Sequence, residues 1–204
     1  MQFASVKSTQ HSATRQIILQ AAFDEIHARG FQGTSLSKIL SSTQVTKGAL
    51  YHYFPNKLAL GYAVVEELIA ADIYDQWVAP LIKMEDPILA MKQIIMHAGQ
   101  EITNEDILYG CPLNNLAQEM TPVDEGFRFR IEGVYKLWQQ GIEDAFKSGQ
   151  KKGFVKNNVN VKYISTMIIA TLEGCIGLAK NAQSKKVLYQ CGQSLMDYLD
   201  SLKA

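Results

Sequence analysis

The chain has 204 residues, 47% hydrophobic and 20% charged, and its 20 Lys/Arg balance its 20 Asp/Glu. That length suits a small domain plus a larger one, with ample apolar content for packed cores. Neutrality alone argues against a nucleic-acid partner, but the charges are unevenly placed. Residues 1–60 hold six Lys/Arg (Lys7, Arg15, Arg29, Lys38, Lys47, Lys57) against Asp24 and Glu25, while the remainder holds 14 against 18. A basic head on an acidic body suits a protein that meets phosphate at one end; chance asymmetry is the alternative.

Three cysteines without framework spacing point to a reducing cytosol. Met1 to Thr14 has no apolar run and is no signal peptide, and no stretch approaches the roughly 18–20 apolar residues that span a bilayer. The expectation is a cytoplasmic protein with no membrane partner.

In chain order, residues 1–12 read as a polar arm, a frayed terminus from which Lys7 and His11 could also reach DNA. A helix over about 14–29 turns Ile18, Ala22, Phe23 and Ile26 inward and stops at Gly30. A short helix follows, capped by Thr34 or Ser35 and buried through Leu36, Ile39 and Leu40. After the polar break Ser41-Ser42-Thr43-Gln44, Val45 packs back and Thr46 caps a second short helix, Lys47 to about Tyr53. Pro55 ends it, because the residue before proline is driven out of the α region, and Asn56 caps the next helix.

That second short helix is an odd structural element. An interior glycine, Gly48, costs roughly 1 kcal/mol relative to alanine, and its compensation would be close backbone approach to something large and rigid. Leu50 and Phe54 hold one face to the core, leaving Lys47, Tyr51 and His52 as donors for phosphates and base edges. Spacing alone also fits a helical hairpin with a solvated polar face.

A long helix is expected from Lys57 to about Val78, before Pro80, with Leu58, Tyr62, Val65, Leu68/Ile69 and Ile73 at helical spacing. Asp86-Pro87 opens a helix to about Thr103. Asn104 to Gly110 reads as a loop, and a short helix from Cys111 breaks at Thr121-Pro122. A helix over about Asp124–Ser148 precedes a glycine- and asparagine-rich connection, 149–158, and two last helices, 160–182 and 185–202. The fold class is all-α, with about nine helices. The domains are a small three-helix head with a helix-turn-helix, 1–56, and a larger helical body, 57–204.

Leu188, Cys191, Leu195, Tyr198 and Leu202 step by threes and fours like an a/d seam. The preceding helix is apolar nearly all round, with Ile168, Leu172 and Ile176 among its large residues and Ala170, Gly174 and Gly177 permitting close approach. A dimer seam and the core of a monomer both fit. The apolar and aromatic residues Tyr62, Met91, Leu113, Leu116, Phe127, Ile131, Tyr135, Trp138 and Met167 fit either a cavity or ordinary core. His97 and Glu101 could recognise a polar ligand group, or His97 could be a hydrogen-bonded structural residue. Pro112 suits the first helical position, which puts Cys111 at an N-cap where the helix dipole stabilises a thiolate; the alternative is a small buried residue with no chemistry. Cys175 and Cys191, on apolar faces, read as inert. No metal cluster, phosphate loop or catalytic triad emerges, so no cofactor and no enzymatic activity are expected.

The stretch Val45-Thr46-Lys47-Gly48-Ala49-Leu50-Tyr51-His52-Tyr53-Phe54-Pro55-Asn56-Lys57-Leu58 resembles the DNA-binding signature of the tetracycline-repressor (TetR) family of bacterial transcriptional regulators. Gly30-Phe31, Gly33-Thr34-Ser35 and Ile39 sit where that family has its preceding turn and helix, so the resemblance spans residues 14 to about 62. Gln44 departs from it, standing where the family usually has glycine. The resemblance implies a homodimeric repressor on a palindromic operator of double-stranded DNA, released by an unknown small-molecule or thiol-reactive effector held in the body. Thr46, Lys47, Gly48 and His52 would face the major groove, and Thr34, Ser35, Tyr51 and Lys57 would clamp phosphates. The effector pocket would draw on Tyr62, Met91, His97, Cys111, Leu116, Phe127, Ile131, Tyr135 and Met167. Gly110-Cys111-Pro112-Leu113 with Glu119 resembles a subgroup that senses electrophiles or oxidants through cysteine, and Lys180 resembles its basic partner. A helical small-molecule binding protein and a thiol-switch module are the competing classes.

Overall fold

The computed structural model describes the backbone of residues 3–204 and the side chains of residues 13–204. Its helices are α1 Phe3–Gly33, α2 Leu36–Ser41, α3 Lys47–Tyr53, α4 Lys57–Ala63, α5 Ala70–Ile73, α6 Ala79–Lys83, α7 Pro87–Glu101, α8 Asn104–Tyr109, α9 Pro112–Met120, α10 Glu125–Lys152, α11 Val161–Ala182 and α12 Lys185–Ser201. π-helical turns, Val64–Ile69 and Tyr74–Val78, join α4 to α5 and α5 to α6. Among the described residues the one β feature is an isolated antiparallel bridge between Val155 and Lys203. The fold is all-α, as expected.

The caps read from the sequence are in place. The side-chain oxygens of Ser35, Thr46 and Asn56 accept from the amides of Lys38, Ala49 and Ala59, satisfying donors that the first turn leaves open. Gln44 needs no left-handed backbone, since Gln183 is the sole non-glycine with positive φ among the described residues. Side chains build the turn instead: the Thr43 hydroxyl accepts from the Val45 amide, and the Ser42 hydroxyl donates to the Ile39 carbonyl.

Four boundaries differ from expectation. Backbone helix begins at Phe3 rather than after an arm, and the expected roles of the Lys7 and His11 side chains fall outside the described residues. Residues 104–109 are helical because Thr103 and Asp106 form a reciprocal capping box. Pro80 does not stop the linking helix. It lies in the first turn of α6, just past a π turn closed by the Ala79 amide on the Tyr74 carbonyl, where the wider register accommodates a residue that has no amide to give. α10 continues four residues past Ser148, and Gly153 (φ 80°) lies just beyond its end.

The chain divides into two compact units, Met1–Ala70 with Asn115–Ile131, and Ala71–Asn114 with Glu132–Ala204. The division falls inside the linking helix, at Ala70/Ala71. In unit 1, Ile18, Leu19 and Ala22 of α1 and Leu50 of α3 are fully buried, and Ile39, Phe54 and Leu60 are almost so. Each large side chain buried here contributes about 1.5–3 kcal/mol. Phe31 meets Phe127 edge-on at 4.6 Å, and a Cβ on Gly61 would strike both rings, so α4 must present glycine there.

In unit 2, Ile88 and Met91 of α7, Trp138, Ile142 and Phe146 of α10, Ile164 and Ile168 of α11, and Leu195 and Leu199 of α12 form the core. Trp77 lies 5.4 Å from Trp138, centroid to centroid. By length and composition alone α11 could cross a membrane, contrary to the expectation that no stretch approaches that length. It nevertheless buries Ser165 and Glu173.

Candidate nucleic-acid interface and buried thiol cluster

α3 presents the face its sequence promised. Leu50 and Phe54 anchor it in the core, at 0% and 2% exposure, while Thr46, Lys47, Gly48, Tyr51 and His52 lie exposed. A Cβ built on Gly48 would meet nothing within 4 Å, so nothing in the protein requires glycine there. The Lys47 ammonium stands 5.9 Å from the Tyr51 ring centroid, and the His52 ring packs against Tyr53. The result is a short, well-anchored surface carrying two cation-capable side chains, a phenol and bare backbone.

Two expected phosphate ligands have partners within the protein. Thr34 is buried and its hydroxyl donates to the Gly30 carbonyl at 2.7 Å, so it fastens the turn before α2. Lys57 donates to the Gln32 carbonyl at 3.3 Å and lies 4.6 Å over the Phe31 ring. Burial lowers its pKa, with the nearby Glu119 charge opposing. Ser35 is half-buried and occupied as the α2 cap, while Ser37 and Lys38 beside it are exposed.

Those contacts surround a carboxylate with a structural role that sequence reasoning did not assign. Glu119 accepts from the Phe31 amide at 2.8 Å and the Gln32 amide at 2.7 Å, just beyond Gly30. Gly30 has φ 75° and ψ 164°, a conformation essentially restricted to glycine, and a Cβ there would lie 2.7 Å from Glu119 Oε2. Position 30 therefore requires glycine twice over: for its backbone and for the carboxylate against it. In the same unit Arg15 pairs with Glu67 at 2.6 Å and covers the Phe54 ring, steadying the end of α3.

Cys111 stands in unit 2 beside Glu173. Its thiol donates to Glu173 Oε1 at 3.3 Å. The amides of Asn114 and Leu113 favour a thiolate, as an N-cap should, but they are outweighed: burial first, then the Glu173 charge, push the thiol far above its usual range. The N-cap reading, in which the helix start lowers this thiol's pKa, is thus opposed by surroundings that favour the protonated thiol. The group that meets it is an acid, whereas the resemblance supplied the base Lys180, about two turns further along α11. Glu173 is 8% exposed, and its Oε2 is buried with no hydrogen-bond partner. Burial raises its pKa, against the Cys111 and Asn114 hydrogen bonds that lower it. Burial also raises Tyr135, with the Glu173 charge adding to the shift. The cluster disfavours negative charge. A lone acid within the apolar run 164–179 was the signal that could have found it.

The other expected pocket residues separate. Tyr62, Leu116, Phe127 and Ile131 belong to unit 1, where Leu116, Phe127 and Ile131 are core. Tyr62 donates to Asp124 at 2.8 Å and lies under Arg130. In unit 2, Met91 is core, Met167 is half-buried, and His97 is exposed on α7, which corrects its placement in a cavity. Of the expected seam, Ile168, Leu195 and Leu202 are buried within the protomer and so cannot meet a partner. Leu172, Ile176, Leu188 and Tyr198 are half-buried. Cys191 is bonded to Cys175 of its own chain, so neither sulfur is a bystander.

Comparison with known proteins covers both the N-terminal and the C-terminal part of the chain. Residues 18–64 match the family described as bacterial regulatory proteins, tetR family. Residues 87–194 match the C-terminal domain of LmrA/YxaF-like transcriptional regulators. An uncharacterized HTH-type transcriptional regulator in the lacX 3′ region of Lactococcus lactis subsp. lactis is 30% identical, over 86% of this chain and 87% of that protein. The HTH-type transcriptional repressor NemR of Escherichia coli is 31% identical over 68% of this chain and 71% of its own. The crystal structure of a TetR regulator from Chloroflexus aurantiacus superposes with a TM-score of 0.83 at 23% identity, covering 96% of this chain and 98% of that one. Taken with the exposed α3 face, these matches establish that the chain is no enzyme but a DNA-binding transcriptional regulator of the TetR family.

Proposed function

We propose that the protein is a cytoplasmic homodimeric repressor whose head, residues 1–56, reads a palindromic operator through α3, and whose body, residues 57–204, releases it when an effector binds. One observation carries the DNA reading: the exposed Thr46–His52 surface held on the buried pair Leu50 and Phe54. Thr46, Lys47, Gly48 and His52 serve as groove contacts, with Gly48 admitting backbone to the base edges. Tyr51 and the α2 start at Ser35 serve the phosphates, and Lys38 extends that row. Thr34 and Lys57 hold the turn. NemR and the DhaR protein of a Mycobacterium species are named repressors, which favours repression over activation.

A second copy supplies a second α3. Two heads related by a twofold axis read half-sites about one helical turn apart (~34–36 Å) or a multiple of that. The exposed stripe Ala170, Gly174, Gly177 and Leu178 of α11, with Tyr189 of α12, offers the partner a close-packing surface. In the body, the unmatched Oε2 of Glu173 suits an effector with a hydrogen-bond donor or cationic group, near Cys111 and Tyr135. Such a ligand acts only through a difference in its affinity for the DNA-bound and free states.

The test is salt-dependent retardation of DNA fragments selected by the purified protein from a random pool. Inverted-repeat fragments, bound more weakly as salt rises, are expected; fragments with no symmetry, or no retardation at low salt, would refute the reading.

A further inference from the structure

We propose that Cys175 and Cys191 are a reversible oxidation site that ties α11 to α12 and changes operator affinity. The inference rests on the DNA-binding reading above, since only that reading gives the two helices a consequence at the operator. The two sulfurs are bonded, with Cα atoms 6.0 Å apart and 16 residues between them in sequence. Such a Cα separation suits a disulfide without backbone movement. Intracellular thiols are kept reduced where a DNA-binding regulator works, and disulfides there are usually transient and redox-sensing.

Exposure divides the roles. Cys191 is half-buried and open to a small oxidant, while Cys175 is 8% exposed and meets it from the neighbouring helix. Cys111, hydrogen-bonded to the Glu173 carboxylate and with its pKa raised by burial, is the least suited of the three to begin the chemistry.

The oxidant is a hydroperoxide. The Cys191 thiolate attacks its outer oxygen and the O–O bond breaks; the released alkoxide or hydroxide takes up the thiol proton, leaving a sulfenic acid. The Cys175 thiolate then attacks the Cys191 sulfur, the S–O bond breaks, and the departing hydroxide takes the second proton as water. Two thiols lose two electrons, and the peroxide is reduced to an alcohol, or water, plus water. A dithiol reverses the bond by exchange.

The test uses the full chain carrying Cys111→Ser, reduced, then treated with hydrogen peroxide and afterwards with dithiothreitol. Both remaining thiols should disappear together with loss of the mass of two hydrogens, while the chain still runs as a monomer on a non-reducing gel. Dithiothreitol should restore both. The bonded form should melt higher, by about 6–12 °C at the chain-entropy limit for a loop of this length. Reduced and oxidised forms should differ in operator affinity by at least about threefold, well under one RT-scale decade of coupling. If Cys111→Ser does not fold, peptide mapping of the peroxide-treated wild type reads the same bond. Persistence of both thiols in excess peroxide, a bond to Cys111, a cross-link between copies, or equal operator affinity in the two forms would each overturn the proposal. No retardation in either form, with the thiol chemistry intact, would count against the DNA reading instead.

Discussion

Glu119 in unit 1 and Glu173 in unit 2 are both acids on helices, and their surroundings make opposite use of them. Glu119 answers two backbone amides at the turn before α2, and Gly30 leaves the space it needs. Glu173 receives the Cys111 thiol and an Asn114 hydrogen bond, yet its Oε2 is buried without a partner. A carboxylate matched by fixed amides holds one geometry. A buried one left half-matched costs stability and leaves a polar position for something else to fill. The head is built to present α3 in one orientation, whereas the body keeps an unmet polar demand among apolar residues.

The largest effect should come from breaking the matched side. Gly30→Ala puts a Cβ against Glu119 in a backbone region that alanine avoids, and should cost about 2–4 kcal/mol in urea unfolding. A cost under about 0.5 kcal/mol would mean the turn is not held as described.

Next is the exposed face itself. Lys47→Ala should weaken binding to selected operator fragments by about 1–3 kcal/mol while leaving the melting temperature in place. Unchanged affinity would remove Lys47 from the interface.

The half-matched side gives a smaller, pH-dependent signal. The folded-state pKa of Glu173 is raised, so its proton-linked stability is fully present below the unfolded value of about 4.3 and is lost as pH rises through the folded value. Glu173→Gln should abolish that loss, so the variant gains on the wild type with rising pH. It should also label faster at Cys111 with iodoacetamide, because the charge that helps hold the thiol protonated is gone. Parallel stability profiles would show that Glu173 is not the proton-linked group.

The head was legible in the sequence because its signals are local. Ser35, Thr46 and Asn56 cap helices within three residues of themselves, and Leu50 and Phe54 share a face by helical spacing alone. What was missed is set by partners distant in sequence. Thr34 and Lys57 looked like free donors until the Gly30 and Gln32 carbonyls took them. Cys111 had the N-cap that lowers a thiol's pKa, but burial, and after it the charge of Glu173 62 residues on, reverse the outcome. The Cys175–Cys191 pairing likewise joins two helices whose register no periodicity fixes. Ile168 was misplaced because an apolar stripe says that a face is buried, not which neighbour buries it.

The central claim is that Gly48 serves the duplex and not the fold, and a paired measurement on Gly48→Ala tests it most directly. A Cβ there has open space and alanine favours helix, so the variant should be more stable than the wild type by about 0.5–1 kcal/mol. The same variant should bind selected operator fragments at least about tenfold more weakly in a fluorescence-anisotropy titration, a loss of about 1.4 kcal/mol. A protein that gains the stability and keeps its full operator affinity would contradict the account.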